Sequence, residues 1–171
     1  MRIKIITLSI ISALAISCST HKGIINTEHQ KNTNTVMIGK VEGESLKDNP
    51  LFPNTKYNYT NYSVNEKLIK TILNKEEGIN IKVVFGPWCG DSKRNVPIFQ
   101  KIIDTSGFDK SKIEYIAVDR NKQGGSYDVS GLDIKRVPTF IFYKNNKEIG
   151  RIIESPKFGS IEQDWVNIVD K

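Results

Sequence analysis

Hydrophobic and polar positions follow a few distinct rhythms along this chain, and each predicts a different element. After a basic start at Arg2 and Lys4, the chain is apolar from Ile5 to Ile16, broken only by Thr7, Ser9 and Ser12. That run is short for a transmembrane helix and has the form of a secretory h-region. Residues 19–35 are polar and rich in Asn and Thr, without apolar periodicity, which predicts a flexible tether. Val36-Met37-Ile38 reads as a short strand. The rest of 36–62, with Asn49-Pro50, Pro53-Asn54 and the tyrosines 57, 59 and 62, reads as an irregular extension laying aromatic rings on the domain surface.

From Ser63 onward the rhythms become regular. Ser63-Val64-Asn65-Glu66 has the capping-box pattern and opens a helix with Val64, Leu68, Ile69, Ile72 and Leu73 on its apolar face, ending near Gly78. Ile79 to Phe85 is a β-branched run that predicts a buried strand. It stops at Gly86-Pro87. The spacing of Val96, Phe99, Ile102 and Ile103 then predicts a helix over Asp91 to Thr105, bent by Pro97 and closed by Gly107. Lys112 to Asp119 reads as a strand, Asn121 to Ser130 as a loop and Gly131 to Arg136 as a connector. Thr139 to Tyr143 and Glu148 to Ile153 are two strands joined by hairpin residues Lys144-Asn145-Asn146-Lys147. Ser160 to Val169 is an amphipathic helix that turns Ile161, Trp165, Ile168 and Val169 inward. The sum is an α/β chain in which strands and helices alternate from Ser63 onward.

At 171 residues the chain is long enough for one domain with a real core plus extensions. Its formal charge is +6, and loss of Arg2 and Lys4 with a processed leader lowers it by two. The lysines are scattered and form no basic stripe with interleaved aromatics, so no nucleic-acid partner is expected. Ala15-Ile16-Ser17-Cys18 resembles the lipobox of bacterial lipoproteins. That resemblance implies residues 1–18 as signal peptide, Cys18 as the lipid attachment point, and an exported, membrane-anchored protein facing the periplasm. The alternative is an ordinary cleaved leader in which Cys18 is incidental. His21 and His29 lie in the polar segment without a Cys or carboxylate cluster, so no metal and no cofactor is expected.

If Cys18 is lipidated, Cys89 is the thiol that remains. It sits in Trp88-Cys89-Gly90-Asp91-Ser92, between a strand and the first turn of a helix. Unpaired main-chain N–H groups and the helix dipole favour negative charge there, which is the setting of a reactive thiol. Lys93, Arg94 and the Ser92 hydroxyl push in the same direction and Asp91 opposes them. The competing reading is a buried structural cysteine.

The element order, with WCGDS after the central strand, Pro97 eight residues beyond Cys89, and Arg136-Val137-Pro138-Thr139-Phe140 before the final hairpin, resembles the thioredoxin family. FGPWCGDSKRNVP with RVPTFIFY and KEIGRIIESP is similar, more narrowly, to its single-cysteine WCGDS bacterial branch. The resemblance covers Ser63 to Lys171. It implies a central mixed sheet of four or five strands flanked by helices, with Cys89 as nucleophile. It also implies that Trp88 lines a substrate groove and that Pro138 is cis, presenting the Val137 backbone to an extended peptide. Two positions depart from the family. Ser92 stands where a second, resolving cysteine is usual, and Val83 where a buried aspartate is frequent. A mixed disulfide at Cys89 then needs an outside thiol to resolve it. The expected partners are disulfide-containing proteins or small thiols, an external thiol reductant and a membrane, with the protein itself a monomer. Two functions follow: monothiol thiol–disulfide exchange, or a binding module of the same fold that captures or senses partners without turnover. A peroxidase lacks its Pro-x-x-x-Thr-x-x-Cys pattern here, and a lone cysteine is a poor metal carrier.

Overall fold

The computed structural model describes residues 27–29 and 35–171. Residues 1–18, expected to be a signal peptide ending at Cys18, and His21 beyond them lie outside the described residues. Strands β1 (Thr27–His29) and β2 (Thr35–Met37) pair antiparallel. Most of the segment expected to be a tether, 19–35, lies outside the described residues; within it Thr27–His29 forms a strand, which pairs through its backbone and needs no apolar rhythm. The remaining elements in order are β3 (Gly39–Val41), α1 (Thr55–Asn61), α2 (Glu66–Leu73), β4 (Ile79–Phe85), α3 (Gly90–Ser106), β5 (Ile113–Ala117), β6 (Thr139–Lys144), β7 (Lys147–Ile153) and α4 (Ile161–Val169).

Five strands form one mixed sheet in the order β3-β5-β4-β6-β7, with β4 and β5 parallel and the other neighbours antiparallel. Alternation along β4 sorts its side chains between two apolar clusters. Ile79, Ile81, Val83 and Phe85 face a large core that α2, α3 and α4 complete with Ile69, Ile72, Val96, Phe99, Ile102, Ile161 and Trp165. Trp165 is fully buried among Phe99, Phe108 and Phe142. Val84, on the other face, joins Ile116, Val118 and Ile141. There the cover comes from the β5–β6 connection, through Val129 and Val137. Asn145 and Asn146 both adopt positive φ, 52° and 63°, which fits the tight two-residue turn between β6 and β7.

Two expectations change. Helix α2 is capped by Asn65, whose Oδ1 accepts from the N–H groups of Lys67 and Leu68, rather than by Ser63. The capping-box spacing fitted the sequence, but the chain stays extended two residues longer. The segment 36–62 is not irregular either. It supplies edge strand β3, a 3-10 turn at Gly43–Leu46 that buries Leu46, the buried Phe52, and helix α1, which packs on α3. Helix α1 is built from poor helix formers and its N-cap makes no side-chain hydrogen bond. Its stability comes from tertiary contacts that local patterning does not encode.

Helix α3 runs unbroken through Pro97. Proline has no N–H to give the carbonyl of Lys93 four residues earlier, and Asn58 Nδ2 of α1 donates to that carbonyl instead, at 3.0 Å.

Candidate active site around Cys89

Strand β4 delivers the chain into a turn at Gly86 to Cys89, closed by the Cys89 N–H donating to the Gly86 carbonyl at 2.9 Å. Cys89 is the N-cap of α3, with extended backbone, and its carbonyl accepts the Lys93 N–H at 3.1 Å. Ser92 is completely buried, and its Oγ accepts from the Gly86 N–H at 3.1 Å. The hydroxyl expected to act on the sulfur is therefore bonded to the turn. Asp91 pairs with Arg94 at 2.5 Å, and Arg94 also donates to Ser155 Oγ at 3.1 Å. Asp91 thus binds within the first helical turn, and the Arg94 charge is compensated.

Cys89 is a free, half-buried cysteine. Its Sγ lies 3.2 Å from the Val137 carbonyl, which accepts the S–H. The Val137–Pro138 peptide is cis. The loop carrying it is fastened at both ends: Thr139 Oγ1 donates to the Arg136 carbonyl at 2.7 Å, and the Glu154 N–H to the Pro138 carbonyl at 2.7 Å. The sheet thus brings two segments far apart in sequence against one sulfur.

Trp88 precedes the thiol and, with it, packs against the second apolar cluster. Its Nε1 donates to the Val118 carbonyl at 3.0 Å, and the Arg120 guanidinium lies over its ring, 5.0 Å from the centroid. Gly86 is required beneath it, since a Cβ there would sit 2.7 Å from the indole. Gly90, by contrast, has open space where a side chain would go. Val83 is fully buried in the main core, where it contributes packing and no proton-transfer group.

Two contributors went unread in the sequence. Asn95, buried on α3, donates to the Glu154 carbonyl at 2.6 Å and pins the segment after β7 beside the thiol. A polar residue amid an apolar helical face was the available signal. Arg120 carried no local signal, because only the sheet brings it over Trp88. Beside Trp88 opens a cleft of about 530 Å³ whose walls include Met37, Pro87, Lys93, Val118 and Arg120. Among the described residues no three of His, Cys, Asp and Glu gather where they could share a metal ion.

Comparison with known proteins bears on this geometry. A family model described as thioredoxin matches residues 53–164. A thioredoxin of Malassezia sympodialis is 35% identical over 66 residues, which is 39% of this chain and 59% of that protein. Thioredoxin Asp f 29 of Aspergillus fumigatus is 25% identical over 87 residues, covering 51% of this chain and 76% of that one. The chain thus spans under two thirds of the Malassezia relative. A solved protein of unknown function from Pseudomonas aeruginosa superposes with a TM-score of 0.58 at 12% identity, over 78% of this chain and 93% of its own, a likeness of fold. With a strand–turn–helix thiol facing a cis-proline loop, and a match that takes in both, the chain belongs to the thioredoxin family.

Proposed function

We propose that this protein is a monothiol thiol–disulfide exchange protein, in which Cys89 is the nucleophile and an outside thiol completes the cycle. The observation that carries the reading is the half-buried Cys89 sulfur at the amino end of α3, 3.2 Å from the Val137 carbonyl. The Cys89 thiolate attacks a partner disulfide, forms a mixed disulfide and releases the partner's other sulfur as thiolate, so one S–S bond forms as one breaks. Trp88 and the Val137–Pro138 loop flank the sulfur and shape what approaches it; Gly90 admits close approach, and Asp91 and Ser92 hold the turn. Ser92, standing in the second-cysteine position, leaves resolution to the external thiol. The relatives named thioredoxin support the redox class. A tether to a membrane through Cys18, with export to the periplasm, is part of the same proposal and is supported by the lipobox-like Ala15-Ile16-Ser17-Cys18.

The test is turnover of a mixed-disulfide peptide with glutathione as reductant, by wild type beside Cys89→Ser. Exchange in the wild type and none in the variant is expected; equal rates would remove the proposal. A wild type that forms one adduct and stops would favour the binding-module reading, to which the buried, non-sulfur Ser92 lends weight. Palmitate labelling that disappears in Cys18→Ala is expected for the anchor, and an unlabelled wild type would refute it.

A further inference from the structure

The cleft beside Trp88 belongs to none of the roles assigned above. Its volume of about 530 Å³ falls within the range of about 300–1,000 Å³ usual for small-molecule sites. Its position is tied to the thiol. Trp88 immediately precedes Cys89, and Lys93, one helical turn beyond, donates its N–H to the Cys89 carbonyl.

Charge distinguishes this cleft from the rest of the rim. Around the thiol the cations are mostly paired: Arg94 with Asp91, Arg136 with Glu154, and Lys135 with Asp133. Lys93 and Arg120 both line the cleft, and neither has a carboxylate partner among the described residues. Arg120 instead lies over the Trp88 ring, so its forked donors are directed by the stacking. The acidic residue on the wall, Asp119, already accepts the Gln123 N–H at 2.7 Å through Oδ1. The cleft therefore carries two cations without an ion-pair partner among the described residues against the single carboxylate of Asp119, a net positive charge around an aromatic plate. Trp88 on its wall is the residue directly before a cysteine whose helix lacks a resolving cysteine.

Resting on the exchange reading above, we infer that this cleft seats the outside thiol, and that this thiol is a small molecule bearing carboxylates. Its carboxylates lie against Lys93 and Arg120, and its apolar backbone against Trp88 and Met37. Held there as thiolate, it attacks the partner's sulfur in the Cys89–S–S–partner adduct. The bond to Cys89 breaks, Cys89 leaves as thiolate, and a partner–S–S–small-thiol disulfide forms. The proton lost when the small thiol ionised has gone to solvent, and the step neither consumes nor releases electrons overall.

The experiment uses the full chain carrying a preformed disulfide between Cys89 and an uncharged peptide. The rate of peptide release is measured with glutathione and with glutathione diethyl ester, whose carboxylates are masked, each corrected for its thiolate fraction. Glutathione is expected to be about tenfold faster, with the advantage shrinking as salt is added. In Lys93→Gln/Arg120→Gln the glutathione-to-ester ratio is expected to fall close to one. The ratio is internal to each variant, and the salt series on the wild type stands without any variant. Equal, salt-independent rates for the two thiols in the wild type would overturn the cleft assignment while leaving exchange at Cys89 intact. Release by neither thiol would overturn the exchange reading, and the cleft assignment with it.

Discussion

Asn58 donates through Nδ2 to the Lys93 carbonyl, at 3.0 Å, at the turn of α3 where Pro97 has no N–H to offer. One helix thus repairs the hydrogen-bond ladder of another, and the repaired helix is the one that carries Cys89 at its amino end. Asn58→Ala is expected to cost about 1–2 kcal/mol, the price of an unpaired carbonyl in a partly buried setting. Pro97→Ala supplies the missing N–H, so the same Asn58→Ala change made in that background should cost clearly less. Urea midpoints for the two single variants and the double variant check this, and full additivity would count against the relationship.

Gly86 and Gly90 flank the thiol but differ in what a methyl group would meet. Gly86→Ala places Cβ against the Trp88 indole, so it should displace the ring, alter its fluorescence and slow reaction of Cys89. Gly90→Ala meets nothing within 4 Å and lies in the first turn of a helix, so it should leave stability unchanged or raise it by about 0.5 kcal/mol. Thermal melts and thiol-labelling rates on the two variants separate the cases.

Ser92→Cys puts a second sulfur one helical turn from Cys89. The expected result is an intramolecular disulfide on mild oxidation and dithiol-type reduction of insulin. Some stability is lost with the Ser92 Oγ acceptor, which now holds the Gly86 N–H. Thiol counting after oxidation is the measurement, and two thiols that never pair would argue against the turn geometry described.

Two carboxylates fasten the 36–62 segment to the rest of the domain. Burial alone would raise the pKa of Asp104, but hydrogen bonds from Lys110, Tyr59 and Lys47 outweigh it and bring it down to about 2. Burial likewise works to raise Glu114, and Lys82, Lys40 and Tyr127 bring it down to about 2. A group depressed in the folded state contributes its stability in full above its unfolded pKa, near 4 for these acids, and loses it as the pH falls towards the folded value. Stability is therefore expected to be flat above about pH 5 and to fall between about pH 4.5 and 2 by roughly 1–2 kcal/mol for each group, allowing for partial solvent screening. Urea titrations across that range check the window, and Asp104→Asn should remove part of the slope.

Much of this architecture is readable locally. The β4–turn–α3 unit, the Asn145-Asn146 hairpin and the inward face of α4 each rest on neighbours in sequence, and the structure places them within a residue or two of expectation. The pairing of Cys89 with the Val137 loop was legible only through family resemblance, since nothing near either segment encodes their contact. Strand β3 is three residues long, too short to display alternation, and α1 is held by Thr55, Asn58 and Tyr59 through contacts made across the fold. The cleft was illegible for the same reason. Its cations, Lys93 on α3 and Arg120 in the turn after β5, are distant in sequence and line one cleft, on whose wall Trp88 bonds to the Val118 carbonyl just beyond β5.

Val36, Met37 and Ile38 form one wall of that cleft, directly before the edge strand β3. The chain therefore enters edge strand β3 along the rim of the cleft beside Trp88. Were the chain moored to a surface as proposed through Cys18, that rim would stay close to the mooring, so that encounters with molecules sharing the surface would be governed by the span of chain between them rather than by bulk concentration.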